Sequence, residues 1–380
     1  LITKDILRYI LAEHLQNKLM KKFDPVTPSP FTVTINYTHD DVTNECKKLL
    51  TLTPNSFFAK RCKKSVSNYQ FGPFNHTSIV RSIEAISDEK QVIIDWELRD
   101  TNLKCKLDNV VCSKNCIYMA GRYLKFSRQL SQTPWLIDGE RKMEGSIQDF
   151  ITDEIHKKIN CKGIKFSSSG REDVDVRMLG RGRPFVLELI DPKLNNVTKE
   201  LLLDITNHIN NATDKISVRD LQQVSKEDVE MNLKNGEETK TKTYQAVCCI
   251  SREFTNEDLM KLNSIKDLVL HQKTPIRVLH RRTLSTRQRT IHKLWVDQCE
   301  SYDNEQSELS LIRQKCDESD NKKLFTLNLT TEAGCYIKEF VHSDFGRTQP
   351  NLASILGICK TDILTLDVME VNMDWPPVLQ

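Results

Sequence analysis

SSSGREDVDVRMLGRGRPFVLEL, residues 167–189, is the stretch from which the fold and the chemistry of this 380-residue chain are best read. The odd positions run Arg171, Asp173, Asp175, Arg177, and the even ones after Glu172 run Val174, Val176, Met178. Successive side chains of a strand point to opposite faces, so the alternation predicts a strand with one apolar face and one face of opposite charges. Asp173 and Asp175 then admit three readings: a general acid and base, a divalent-metal site, or an ion-pair ladder with Arg171 and Arg177. Hard cations want several oxygen ligands, and flanking guanidiniums repel the ion, which argues against metal. Glycosidase chemistry needs two carboxylates facing each other from about 5 Å or more, usually from different elements. The ladder stays open as the structural alternative. Ser167-Ser168-Ser169-Gly170 before the run and Gly180-Arg181-Gly182-Arg183-Pro184 after it place the charged residues near a strand end, where backbone approaches a ligand closely.

Working outward, Ser146-Ile147-Gln148-Asp149 is a capping arrangement, and Ile147, Phe150, Ile151, Ile155 and Ile159 then share one helical face. VDVRML, FVLELI, KISVRDLQ, TYQAVCCI, LFTLNL and ILTLDVMEVNM read as strands with helical stretches between them. That order predicts an α+β class, with a mixed, mostly antiparallel sheet flanked by helices. Toward the amino terminus, residues 1–20 have apolar spacings of three and four, FTVTINY alternates as a strand, NHTSIVRSIEAI reads as a helix and KQVIIDWEL as a strand. The boundary between this smaller α/β module and the rest falls near residue 118, where GRYLKFSRQLSQTPW begins. The expected domains are therefore 1–118 and 119–380. KNGEETKTK, residues 234–242, has the composition of a solvated loop.

The hydrophobic content of 38% supports two cores, and a net charge of +3 calls for no particular partner by itself. Its distribution does. Leu268 to Val296 contains no acidic residue but carries Lys273, Arg277, Arg281, Arg282, Arg287, Arg289 and Lys293. Interleaved with Ile276, Val278 and Leu279, this cluster reads as an ordered arm that attracts phosphates, or as a solvated face balanced elsewhere. No run of about 18 apolar residues occurs, so no helix is expected to cross a membrane. Twelve scattered cysteines and no apolar leader lead us to expect a reducing compartment and free thiols. Cys112 and Cys116 have the spacing of half a zinc site without a convincing second pair, so no metal is expected. The start at Leu1, directly in a helical pattern, suggests a fragment of a longer protein.

Gly170-Arg171-Glu172-Asp173 resembles the GRxD signature of the TruA-like pseudouridine synthases, and the longer run is closer still to the archaeal and eukaryotic pseudouridine synthase ten family. Asp175 stands where TruA has Gly, a departure that fits the second family. AGCYIKEFVH, residues 333–342, resembles the GTYI(K/R) motif, KTKTYQAV carries a matching tyrosine, and QTPWLIDGERK and QKTPIRVLHRR belong to the same likeness, which runs from about Gly121 to the terminal DWPPVLQ. The resemblance implies a pseudouridine synthase fold acting without cofactor on T-loop uridines of tRNA, positions 54 and/or 55. It makes Asp173 the catalytic nucleophile or base, Lys338 its basic partner, and Tyr244 an aromatic that stacks on the flipped uracil. Arg171 would fill the vacated space or hold the phosphate, and Ile337 and Leu356 would form an apolar floor. Arg277, Arg281, Arg282 and Arg287 would contact RNA. Residues 1–118 would be an accessory, THUMP-containing region, and the protein a cytoplasmic or nuclear monomer. The family's zinc-binding cysteines would precede Leu1. A non-catalytic binder of structured RNA using the same basic surface is the alternative.

Overall fold

The strand that organises the larger part of the molecule starts only at Arg177. In the computed structural model, which describes residues 3–20, 30–38, 49, 51–56, 76–84, 86, 106–194, 196–235, 241–297 and 323–379, the chain divides into two compact units, Leu1–Ser113 and Lys114–Gln380. The first contains helix α1 (Thr3–Leu19), strand β1 (Phe31–Thr38) and helix α2 (His76–Glu84), and β1 pairs with β2 (Lys106–Lys114) in a two-stranded sheet. The KQVIIDWEL segment and residues 236–240 of the KNGEETKTK tract lie outside the described residues.

The second unit is built on a ten-stranded sheet. Its strands are β3 (Ile117–Lys125), β6 (Gly163–Ser168), β7 (Arg177–Ile190), β8 (Ile216–Val224), β9 (Thr241–Ile250), β10 (Lys266–Lys273), β11 (Thr286–Asp297), β12 (Lys323–Glu332), β13 (Thr348–Gln349) and β14 (Thr361–Val371). They lie in the order β13-β10-β11-β12-β9-β14-β7-β3-β8, with β6 also on β7. Every described ladder in it is antiparallel except β14 with β7. A small hairpin, β4 (Leu136–Ile137) with β5 (Glu140–Arg141), stands apart. The α+β architecture with a mostly antiparallel sheet is the one the strand spacing predicts. Five of the six strand segments named from sequence fall in β7, β8, β9, β12 and β14. The basic segment from Leu268 is ordered as β10 and β11, joined through a short 3-10 turn at Ile276–Val278.

Helices cover the sheet where their apolar faces require it. In α3 (Ile147–Lys158) Ser146 caps the helix by accepting from the Asp149 amide, and Ile147, Ile151 and Ile155 have no exposed surface. Ile205 and Ile209 of α4 (Lys199–Ala212) are likewise fully buried, and α3 and α4 pack on one another. The remaining helices are α5 (Lys226–Asn235), α6 (Asn256–Asn263), α7 (Ile337–His342) and α8 (Leu352–Leu356). Burying this many aliphatic side chains, at about 1.5–3 kcal/mol each, is what holds the layers together.

VDVRML is corrected in its first half, since only Arg177–Leu179 of it belongs to β7. Residues 171–176 turn instead of pairing, with the Val176 amide donating to the Asp173 carbonyl at 3.1 Å. The reason is Glu172, whose carboxylate is drawn inward to a buried arginine, so the charged and apolar faces cannot separate as a flat strand requires. Period-two burial runs across the join, from Val176 just ahead of the ladder to Met178 within it, both core residues.

Candidate active site

The turn 170–176 is fixed from below before it presents anything above. Gly170 has φ +87°, and a Cβ there would stand 3.0 Å from the Arg183 guanidinium and 3.1 Å from the Lys242 amine. A side chain is therefore both strained and crowded at that position. Glu172 accepts from Tyr123 Oη at 2.9 and 3.0 Å and from Arg183 Nε at 2.7 Å, while Arg183 Nη1 donates to the Ser169 carbonyl at 2.9 Å. Both charged side chains of this pair are essentially without solvent exposure. Burial pulls the Arg183 pKa down, but the charge and hydrogen bond of Glu172 together with Tyr123 and Tyr244 turn the net direction up. Burial and the Glu172 charge together push the Tyr123 hydroxyl well above its ordinary value, so it stays a donor.

Lys125, at the end of β3, does for the backbone what Arg183 does for the carboxylate. Its fully buried amine donates to three carbonyls, Leu130 at 2.8 Å, Asp173 at 3.0 Å and Val174 at 2.8 Å. Desolvation lowers its pKa to about 8, against the opposing pull of Glu172, Asp175 and Asp173. Gln132 adds donors to Tyr123 Oη, Ser168 Oγ and the Gly170 carbonyl, at 2.7, 2.9 and 3.0 Å. The carbonyls of Ser169, Gly170, Asp173 and Val174, outside the β-ladder, are thus paired with buried side chains.

Above this base the Asp173 carboxylate is about one third exposed and meets cations from two other parts of the chain. Arg277 Nη1 donates to Asp173 Oδ2 at 2.7 Å, Lys338 Nζ lies 3.5 Å from the same oxygen, and Arg281 Nη2 lies 4.0 Å from Oδ1. Lys338, in the first turn of α7, makes its shortest contacts with Asp175, at 2.8 and 2.7 Å. Partial burial pushes the Asp175 carboxyl up, and the hydrogen bonds and charge of Lys338 more than reverse this. Arg277 is in turn clamped by Glu339, whose nearly buried carboxylate accepts from Nε at 2.7 Å and Nη2 at 3.4 Å. Desolvation lowers the Arg277 pKa, but Glu339 and then Asp173 raise it beyond its ordinary value.

The residues singled out from sequence divide into groups. Asp173, Lys338, Arg277 and Arg281 come together within hydrogen-bond or ion-pair reach. Arg277, read from sequence as a phosphate ligand, is held instead between two carboxylates and is the nearest cation to Asp173, in the place expected for Lys338. The alternative of an Arg171-to-Arg177 ladder is absent as such: Asp173 pairs with Arg277, Asp175 with Lys338, and Arg177 with Asp367 at 2.7 Å, while Arg171 is exposed. Tyr244 sits in β9 opposite Leu329 of β12 and Val368 of β14, 9% exposed. Burial raises its pKa, opposed by the charge of Arg183, so its hydroxyl is protonated at neutral pH and its surroundings are those of the base of the turn. Ile337 and Leu356 are 3% and 6% exposed members of the core. Arg282 is exposed on the basic segment, and Arg287 Nη1 donates to Thr274 Oγ1 at 3.3 Å. Among the described residues, no group of three or more His, Cys, Asp or Glu is placed to hold a metal.

Sequence reasoning passed over Glu172, Lys125 and Glu339. Glu172 did leave a signal, since a carboxylate on the apolar side of an alternating run needs an internal cation. Lys125 left none, because its partners are backbone carbonyls that any sequence supplies.

Comparison with known proteins places this geometry in context. A family model described as "Pus10, C-terminal" matches residues 118–372, and one described as "Eukaryotic Pus10, N-terminal" matches residues 1–112. The tRNA pseudouridine synthase Pus10 of Xenopus laevis is 40% identical over 377 residues, 99% of this chain and 67% of that protein. The tRNA pseudouridine synthase Pus10 of Homo sapiens is 40% identical over 353 residues, 92% of this chain and 61% of that protein. The one from the archaeon Thermofilum pendens is 32% identical over 260 residues, 68% of this chain and 52% of that protein. A solved Cbf5-Nop10-Gar1 complex overlaps 66% of this chain and 48% of that chain, with TM-score 0.31 and 14% identity. The chain therefore spans between about half and two thirds of the relatives it matches. With both models together matching nearly its whole length, the chain belongs to the Pus10 family.

Proposed function

We propose that this chain is a tRNA pseudouridine synthase, as its relatives are named, and that it acts on T-loop uridines at positions 54 and/or 55. The observation that carries the reading is the Asp173 carboxylate: partly open to solvent, held by a braced turn, and surrounded by Arg277, Lys338 and Arg281. Pseudouridylation breaks the bond between C1′ and N1 of a uridine, turns the base, and joins C1′ to C5. The C5 proton leaves and N1 gains one, so the change is an isomerisation that needs no cofactor.

One ionised oxygen is required, to add to the sugar or base or to start bond cleavage as a base, and Asp173 supplies it. The surrounding cations compensate its charge and fix its direction. Tyr244, protonated, offers its ring face to the uracil and its hydroxyl as a donor, while Ile337 and Leu356 keep the floor of the site apolar. Arg171, Arg281, Arg282 and Arg287 bind phosphates, and Arg277 acts chiefly on Asp173. A T-arm is a short duplex with an unpaired loop, and flipping one base out of it costs least where pairing is already absent. An accessory THUMP-containing region over residues 1–118, a monomeric state and a nuclear or cytoplasmic setting belong to the same proposal.

The test is a modification assay on a T-arm transcript, beside a gel-shift measurement on the same RNA. The intact chain is expected to form pseudouridine, and Asp173→Asn to bind RNA normally without forming it. Turnover by the variant would move the chemistry elsewhere, to Asp175 first. Binding without turnover by the unaltered chain would establish a non-catalytic RNA-binding protein.

A further inference from the structure

After helix α7 the backbone does something that four consecutive residues rarely do. Ser343, Asp344, Phe345 and Gly346 have φ of +67°, +50°, +56° and +76°, so three side-chain-bearing residues in succession occupy the left-handed region. Each such residue is strained and persists only where its surroundings over-determine it. Here they do. The Asp344 carboxylate, 8% exposed, accepts from the Ile276 amide at 3.3 Å and pairs with Arg347 at 3.4 Å. Arg347 Nη2 donates to the Thr274 carbonyl at 2.6 Å, and the Lys273 amide donates to the Arg347 carbonyl at 3.0 Å. Thr348 closes the turn onto the Ser343 carbonyl at 3.1 Å, and β13 continues it as a partner of β10.

What this stapled turn displays is a phenyl ring. Phe345 is 93% exposed, more than any other large hydrophobic side chain among the described residues. It makes no contribution to the core, and an exposed aromatic is a poor use of a strained backbone unless something covers it. Its place narrows what that is. The turn is bonded to Lys273, Thr274 and Ile276, and Arg277, the next residue, is the cation on Asp173. Arg281 and Arg282 follow, both exposed, together with Leu284 at 79% exposure. A fixed aromatic face on a turn bonded to the segment that carries exposed guanidiniums is the combination by which proteins hold unpaired nucleotides. A protein partner would be expected to meet a broader, more apolar patch than a single ring.

We infer that Phe345 is a stacking platform for an unpaired nucleobase of the RNA substrate, outside the pocket that takes the target uridine. The inference rests on the RNA-substrate reading above and adds a second point of base contact to it. A rigid ring placed by the Asp344 and Arg347 contacts pays no ordering cost when the base arrives. Stacking is tolerant of base identity, so the platform sets the position of the loop and not its sequence.

The experiment is a cycle between the residue and the base, read as RNA affinity of the full chain in an Asp173→Asn background so that turnover does not enter. The probe is a T-arm hairpin together with a series in which each unpaired nucleotide in turn is made abasic. Phe345→Ala is expected to weaken binding of the intact hairpin roughly 5- to 100-fold, the range that loss of one aromatic–base stack produces. Phe345→Trp is expected to keep the affinity. At one abasic position the penalty of Phe345→Ala should vanish, and the slope of affinity against salt should be unchanged, because no phosphate contact is lost. Circular dichroism and melting of both variants should match the parent, since the ring packs on nothing. Equal affinities for parent and Phe345→Ala overturn the inference, and so does a penalty that persists on every abasic hairpin. If the parent binds no hairpin at all, the RNA reading itself fails. If it binds but its Asp173 form makes no pseudouridine, only the enzyme reading fails.

Discussion

Glu172 and Asp173 are neighbours in the chain and opposites in the fold. Glu172 points into the protein, where its carboxylate has no solvent exposure and is matched by Arg183 and the Tyr123 hydroxyl. Asp173 points out, one third exposed, toward cations contributed by residues more than a hundred positions away. One carboxylate holds the turn and the other is held by it. In the first, charge is neutralised locally and permanently in a medium of low polarity, where removing one partner leaves the other stranded. In the second, the carboxylate is partly open to solvent and its cations are shared with Glu339 and Asp175. Adjacent acids of identical charge thereby divide into a sealed brace of the turn and an open carboxylate to which the proposed chemistry falls.

Substitutions can break this contrast, and their expected effects fall in order. Asp173→Asn should lower the rate of pseudouridine formation by on the order of 10⁴-fold or more, equivalent to about 5 kcal/mol, with the unfolding midpoint almost unchanged. Single-turnover kinetics beside chemical denaturation would show whether rate and stability separate this way. Glu172→Ala should do the reverse in kind, destabilising the fold by about 3–5 kcal/mol because the Arg183 guanidinium is left buried and unpaired. Denaturant titration measures it, and a loss below about 1 kcal/mol would mean that water reaches Arg183.

Lys125→Met leaves three carbonyls without their donor and should cost about 1–3 kcal/mol, and it should also slow catalysis by loosening the turn under Asp173. A pH dependence goes with it. The folded pKa of Lys125, about 8, lies below its ordinary value of 10.5, so between those values the unfolded chain binds the proton more tightly. Stability attributable to this group therefore rises with pH over that window. Unfolding free energies of the parent and Lys125→Met, measured from pH 7 to 10, should diverge in favour of the parent as pH rises, and convergence would reverse the sign of the shift. The smallest effect expected is from Tyr123→Phe, about 1 kcal/mol, since Glu172 keeps Arg183 when one neutral donor is lost. Thermal melts resolve a change of that size.

How far this arrangement can be read in advance differs from residue to residue. The alternation in TYQAVCCI and LFTLNL marks strands because both segments lie within a sheet whose faces differ in polarity, and period two then survives in the sequence. The same alternation misleads across residues 171–176, where one inward carboxylate bends the backbone out of the ladder. Asp173 and Lys338 were legible through the GRxD and GTYI(K/R) likenesses, each a short local motif. The role of Arg277 was not, since a guanidinium in a basic segment looks the same whether it meets a phosphate or a carboxylate. Only the approach of Glu339 and Asp173 decides between them.

By itself, the order of residues fixed the α+β class, the mostly antiparallel sheet, the helix faces and the family, because each depends on patterns a few residues long. Tertiary structure decided which carboxylate is sealed and which is open, which cation stands nearest Asp173, and that Lys125 grips the turn from beneath. Several of these pairings span long stretches of chain, 48 positions from Lys125 to Asp173, 104 from Asp173 to Arg277 and 163 from Asp175 to Lys338, through backbone carbonyls and charges whose partners are chosen by distance in space. Coulomb and hydrogen-bond energies depend on separation and burial, and neither quantity is written along a chain until it has folded.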